Sequence, residues 1–193
     1  MKTSIKICFA AILMSSAFAC QKENIKTTST STAVTASNAS NLETFVIGQE
    51  YGGGVIIFID TSGQHGIIAA KTDQSLGATW YNGVPGITGA TGKIIGAGPS
   101  NTRKIVQVQG DGIYAAKVCA EYKADTYNDW YLPSKNELTE VYKQKAIIGA
   151  GNFVYWSSSE EDANAAWAQN FTTGGRKQSR KDKIYHVRAV RTF

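Results

Sequence analysis

The chain has 193 residues, a formal net charge of +5, and nineteen Gly against three Pro. That is room for one ordinary domain plus appendages, with a composition that excludes a disordered or fibrous chain. Two of the positive charges, Lys2 and Lys6, fall in a leader expected to be removed, so the remaining excess is nearer +3 and identifies no partner until its members are placed.

The first twenty residues have a basic start, an apolar run from Ile7 to Met14, and the small-residue approach Ser15-Ser16-Ala17-Phe18-Ala19 before Cys20. The run is too short to span a bilayer, and residues 1–19 read as a signal peptide. Cys20 directly after Ala19 resembles the bacterial lipoprotein signal, which implies lipidation of Cys20 and a membrane partner through that lipid. The alternative is ordinary cleavage after Ala19 with Cys20 left as a free thiol. Residues 20–44 are rich in Ser, Thr, Asn and Ala and bury too little surface to offset ordering, so a flexible tether is expected. Its opening Gln21-Lys22-Glu23 resembles tags that direct lipoproteins to the outer surface, which implies an outer-membrane location; a piece of polar linker is the alternative.

The folded domain is expected over residues 45–193. Gly52-Gly53-Gly54 precedes the β-branched run Val55-Ile56-Ile57-Phe58-Ile59, and Asp60-Thr61-Ser62-Gly63-Gln64 turns into His65-Gly66-Ile67-Ile68-Ala69-Ala70, a hairpin. No Lys-Ser/Thr pair opens a helix after the glycines, so a backbone bend or close packing explains them better than a phosphate cradle. Residues 71–100 form a long irregular stretch, the kind of loop that is often functional. Its Trp80, Tyr81 and Asn82 are a candidate ligand-binding surface with exposed aromatic area.

Asn101 or Thr102 can cap a helix through Ile105, Val106 and Val108, interrupted by Gly110 and Gly112. A second helical run covers residues 113–123, where Ala115, Val118, Cys119 and Tyr122 follow helical spacing; Cys119 reads as a buried small hydrophobe without a disulfide partner. In Asp129-Trp130-Tyr131-Leu132-Pro133-Ser134-Lys135-Asn136-Glu137-Leu138, Ser134 and Glu137 have capping-box spacing, and Leu138, Val141 and Tyr142 give the following helix an apolar stripe. Trp130 and Leu132 stand one strand period apart and point to the same core.

Phe153-Val154-Tyr155-Trp156 reads as a strand, residues 165–171 alternate with Trp167 and Phe171 on one face, and residues 184–190 form one closing strand. Glu160, Glu161, Asp162 and Asn164 make an acidic turn, either solvated or able to hold Ca²⁺. His65 and His186 are far apart in sequence and no metal-ligand spacing occurs, so no metal or cofactor is expected. No catalytic set can be assembled, and an enzyme is not expected. The strongest charge signal is basic: Arg176, Lys177, Arg180, Lys181 and Lys183 fall within eight residues, forming either a candidate binding patch or a solvated turn. Arg188 and Arg191 are expected to pair with carboxylates such as Asp129 or Glu137.

Taken together, Gly52-Gly53-Gly54-Val55-Ile56-Ile57-Phe58, Asp129-Trp130-Tyr131-Leu132-Pro133-Ser134, Tyr155-Trp156-Ser157-Ser158-Ser159 and Tyr185-His186-Val187-Arg188-Ala189-Val190-Arg191 resemble the bacterial family named after the C-terminal domain of the Legionella collagen-like adhesin. Many members carry an arginine where this chain has Tyr131. The resemblance implies an α+β, C-type-lectin-like compact domain with two main helices, short antiparallel strands and a long irregular loop. It also implies an extracellular binding role, since the naming adhesin is associated with sulfated glycosaminoglycans. Two functions follow: a lipid-anchored module for acidic or sulfated polysaccharide, or a structural, adhesive envelope protein binding another protein. Export argues against nucleic acid.

Overall fold

The computed structural model describes residues 43–193. The expected signal peptide, Cys20 and the tether up to residue 42 lie outside the described residues. Nine short strands and three helices follow in order: β1 Glu50–Tyr51, β2 Gly54–Ile59, β3 Gly66–Ala69, β4 Ser75–Ala78, α1 Gly98–Gln109, α2 Ala115–Ala120, α3 Lys135–Lys143, β5 Val154–Glu160, β6 Ala165–Asn170, β7 Arg176–Arg180, β8 Tyr185–Val187 and β9 Val190–Thr192. They build two sheets, β1-β2-β3-β9 and β4-β8-β5-β6-β7, antiparallel except where β5 runs parallel to β8. The class is α+β, with three helices rather than two.

The hairpin forms where the sequence places it. Val55 pairs with Ala69 and Ile59 with Gly66 across β2 and β3, with a register shift at Ile57. A Cβ on Gly54 would collide with the Ala69 carbonyl, so this glycine serves the close approach of two strands. Ile56 and Ile68 enter one core with Trp80, Ile105, Trp130, Leu132 and Trp156. Val55, Ile57 and Ile67 enter a second core with Leu138, Val141, Tyr155 and Phe171 beneath α3. Because both faces of the hairpin are covered, β2 has to be apolar throughout, which is why it reads as an uninterrupted run.

The third helix is the most local of the elements. The Glu137 amide donates to the Ser134 hydroxyl and the Ser134 amide donates to the Glu137 carboxylate at 2.7 Å, completing the capping box. Glu137 also accepts the Gly96 amide at 2.7 Å, so the same carboxylate ties the end of the long loop to α3. Burial pushes the Glu137 carboxyl up, while these amides pull it down. Burying Leu138 and Val141 contributes about 1.5–3 kcal/mol each.

Two expectations are corrected. Helix α1 starts at Gly98, and Asn101 and Thr102 are not its caps. Asn101 instead accepts the Gly92 amide at 3.2 Å, and the Thr102 hydroxyl accepts the Leu132 amide at 3.0 Å; their side chains stitch neighbouring segments to the helix. Closing residues 184–190 do not make one strand. The chain leaves the second sheet after Val187 and enters the first at Val190, because the Arg188 guanidinium is drawn inward to Asp73 and to the carbonyls of Ala70 and Ile148. Beyond that crossing, Val190 exchanges two backbone hydrogen bonds with Tyr131, which pins the approach to α3 against β9.

Candidate functional site

Strand alternation divides the basic cluster of residues 176–183. Against β6, Arg176 stands opposite Gln169, Gln178 opposite Trp167 and Arg180 opposite Ala165, whereas Lys177 stands opposite Ala168 and Ser179 opposite Ala166. Side chains two apart share a face, so Arg176, Gln178 and Arg180 lie with Trp167, and Lys177 lies on the other side. There its ammonium sits 5.2 Å from the centre of the Tyr185 ring. Arg180 is closed onto Asp182, with Nη2 to Oδ2 at 2.7 Å. Lys183 is exposed in the turn that follows.

Lys181 does not belong to this surface. Its side chain and that of Glu160 are both 1% exposed, and the two pair at 2.6 Å. The ammonium also donates to the carbonyls of Gly86 at 2.8 Å and Ala163 at 3.1 Å, and it lies 4.6 Å from the centre of the Trp80 ring. Glu160 in turn accepts the amides of Thr88 at 2.9 Å and Gly89 at 2.8 Å. A buried pair is tolerable only when its remaining donors and acceptors are used in this way. The pair therefore holds the long loop against the second sheet.

Trp80 is likewise core. It is fully buried and donates from Nε1 to the Ser157 carbonyl at 2.8 Å. Asn82 is exposed, but its side-chain amide donates to the Gln109 carbonyl and its oxygen accepts the Val84 amide, leaving only Tyr81 half-buried at the edge. Trp80 is thus a structural strut and offers no exposed aromatic area. Of the acidic turn, Glu160 is committed to Lys181, and Asp162 accepts the amides of Asn164 and Ala165.

A different cluster forms where α3, β6, β7 and the loop residue Lys93 meet. The Lys135 ammonium stands 3.1 Å from the centre of the Trp167 ring, with the Lys93 ammonium 5.4 Å from the same centre. Arg176 reaches Asn136 Oδ1 at 3.4 Å. The Trp167 Nε1 donates to Glu161 at 2.6 Å, and Lys93 pairs with the same carboxylate oxygen at 3.0 Å. Burial lowers the Lys135 ammonium from its ordinary value, and like charge from Arg176 and Lys93 adds to that. Two ammonium groups thus stand over one half-buried indole, with the Arg176 charge near Lys135 and the Glu161 carboxylate on the indole nitrogen. The α3 amides add nothing to this face, because those of Lys135 and Asn136 are taken by Ser159 Oγ and the Lys93 carbonyl. In sequence its cations lie at positions 93, 135 and 176, and the one local signal was the alternation that placed Trp167 on a face.

Two other features stand apart. Asp73 gathers Arg188 Nε at 2.6 Å, His186 Nδ1 at 2.9 Å and the Tyr155 hydroxyl at 3.0 Å, while Phe153 stacks on His186 at 4.0 Å. Burial, then the charge of Asp73, pushes the Tyr155 hydroxyl up to about 12, so it stays a donor. This node fixes the crossing between sheets. Arg191 pairs with Asp129 through both oxygens at 2.7 and 2.9 Å, one of the carboxylates expected for it, whereas Arg188 takes Asp73 instead. A groove of about 610 Å³ runs between α1 and residues 129–131, lined by Pro99, Arg103, Val106, Asp129, Trp130 and Tyr131, with Asp129 already paired with Arg191.

The family model described as the Lcl C-terminal domain matches residues 70–191, more than half of the chain. Comparison with curated proteins gives no match.

Proposed function

The chain belongs to the Lcl C-terminal domain family, and on that premise we propose that it is an adhesin-like surface module that holds acidic or sulfated polysaccharide at Lys93, Lys135, Arg176 and Trp167. The observation that carries this reading is the Lys135 ammonium seated over Trp167 with two further cations beside it. Fixed positive groups attract sulfate and carboxylate, and the Trp167 ring under the Lys135 ammonium holds that charge in place. The module binds its ligand without transforming it. Lipidation of Cys20 anchors it to the outer membrane, and the tether of residues 20–44 lets it reach outward. The domain over residues 45–193 is C-type-lectin-like, a reading supported by three helices packed with two short-stranded sheets and a long loop.

The test is retention of the full chain on immobilised heparin at two ionic strengths. Retention that weakens as salt rises, because exposed charges are screened over about 8–10 Å, supports the reading. Trp167→Ala is expected to lower retention severalfold. Passage without retention at low salt, together with capture of an envelope protein by surface cross-linking, supports the structural, adhesive alternative and overturns this one.

A further inference from the structure

Strand β7 ends the second sheet, and its outer edge has no neighbouring strand. On the inner side the Asn170 amide donates to the Gly175 carbonyl and the Lys181 amide to the Asn164 carbonyl, both at 2.8 Å. Hydrogen-bonded pairs recur at every second residue of an antiparallel ladder, so Lys177 and Ser179 also turn their backbone groups toward β6. Arg176, Gln178 and Arg180 therefore turn theirs outward. The Arg180 carbonyl is taken by the Lys183 amide at 3.1 Å, which leaves three amides and two carbonyls in a row along the edge. These three residues are exposed, as is Lys177 beside them. Asp182 neutralises Arg180, whereas Arg176 and Lys177 have no carboxylate partner among the described residues.

We propose that this edge takes up an extended acidic segment of another protein as an added strand of the five-stranded sheet. An added strand continues the pleat, so its side chains fall alternately on the two faces. A residue opposite Arg176 lies on the Trp167 face, and one opposite Lys177 lies on the face of Tyr185. Two consecutive acidic residues thus reach one cation on each face, while the backbone supplies the hydrogen bonds. Charge on an edge strand ordinarily blocks pairing, and here it blocks pairing with a like strand. A second β7, antiparallel and centred on Gln178, would set Arg176 opposite Arg180 and offer Arg176 and Lys177 no carboxylate. The edge is closed to its own copies and to basic strands, and open to acidic ones. It goes beyond the polysaccharide reading, because its hydrogen bonds come from the β7 backbone and only Arg176 is common to both.

The probe is a short blocked peptide, rich in threonine and valine, with two adjacent glutamates at its centre; a second form carries lysines in their place. Added to the full chain, the glutamate peptide is expected to slow amide exchange at Arg176, Gln178 and Arg180 by at least about tenfold, and the lysine form to slow none. Gln178→Pro removes one outward amide and no charge, and an edge strand tolerates proline where the amide faces solvent. It is expected to weaken peptide binding by about 2–10-fold and to leave heparin retention unchanged, with the Lys177 and Ser179 amides still protected against β6. Loss of that protection would show β7 displaced by the proline, and the peptide's own backbone then decides. N-methylation of one alternate set of its amides is expected to abolish the slowing, and methylation of the other set to leave it. Equal binding of the glutamate and lysine forms, binding without slowed exchange at the three amides, indifference to both methylations, or no binding of the glutamate peptide overturns the inference. Slowed exchange in a chain that heparin does not retain supports the edge and overturns only the polysaccharide reading.

Discussion

Glu160 and Glu161 are neighbours in the chain with opposite surroundings. The first is sealed against Lys181 and two loop amides, both charges removed from solvent. The second sits at a rim with Lys93 and Trp167, half-reachable and surrounded by surplus positive charge. Their lysine partners differ in the same way: Lys181 orders a loop, and Lys93 belongs to a surface that has cations to spare. What separates the two is the satisfaction of every donor and acceptor around one and the incompleteness of the other. Complete networks hold a fold, and incomplete ones are free to meet something else.

That contrast can be broken most severely at Lys181. Lys181→Ala strands a buried carboxylate and is expected to cost about 3–5 kcal/mol in urea unfolding, with loss of amide exchange protection at Thr88 and Gly89. Adding Glu160→Gln to it should recover part of this, because no buried charge is then stranded and the carboxamide oxygen, placed where Oε2 stands, can still accept both loop amides, while the space left by the Lys181 side chain remains. Asp73→Asn comes next. The Arg188 guanidinium keeps the Ala70 and Ile148 carbonyls, so the expected cost is about 2–3 kcal/mol, read from the same unfolding curves.

Asp129 gives the smallest effect and a pH sign. The Arg191 guanidinium holds its carboxyl below the ordinary range, so its contribution is present above the unfolded value of about 3.9 and is lost as pH falls through the lower folded value. Because the side chain is 53% exposed, only a few tenths of a kcal/mol are expected. The urea midpoint should favour the natural chain over Asp129→Asn at pH 6, with the difference shrinking toward pH 3.

The same contrast explains what could be read from the sequence. Ser134 and Glu137 were legible because a capping box is closed within four residues. The β2–β3 hairpin and the inward direction of Trp130 and Leu132 were legible because alternation and turn chemistry are local too. The basic run was misleading: counting Arg176, Lys177, Arg180, Lys181 and Lys183 by proximity ignored the two-residue period of a strand, which sends Lys177 and Arg176 to opposite faces. Lys181 was taken inward by a loop almost a hundred residues earlier, through Gly86. Nor did the sequence mark Trp80 as a strut or unite Lys93, Lys135 and Arg176, since those positions come from a loop, a helix and an edge strand that only the sheet order brings together.

The central claim concerns where the binding charge sits, and it can be tested with net charge held equal. Lys135→Ala with Arg176→Ala, and Lys177→Ala with Lys183→Ala, each remove two positive charges from exposed or half-exposed positions. Elution from immobilised heparin along one salt gradient should shift strongly to lower salt for the first pair and only slightly for the second, with both keeping the same unfolding free energy within about 0.5 kcal/mol. Equal shifts for the two pairs would contradict the account, because diffuse positive charge would then explain retention without the face around Trp167.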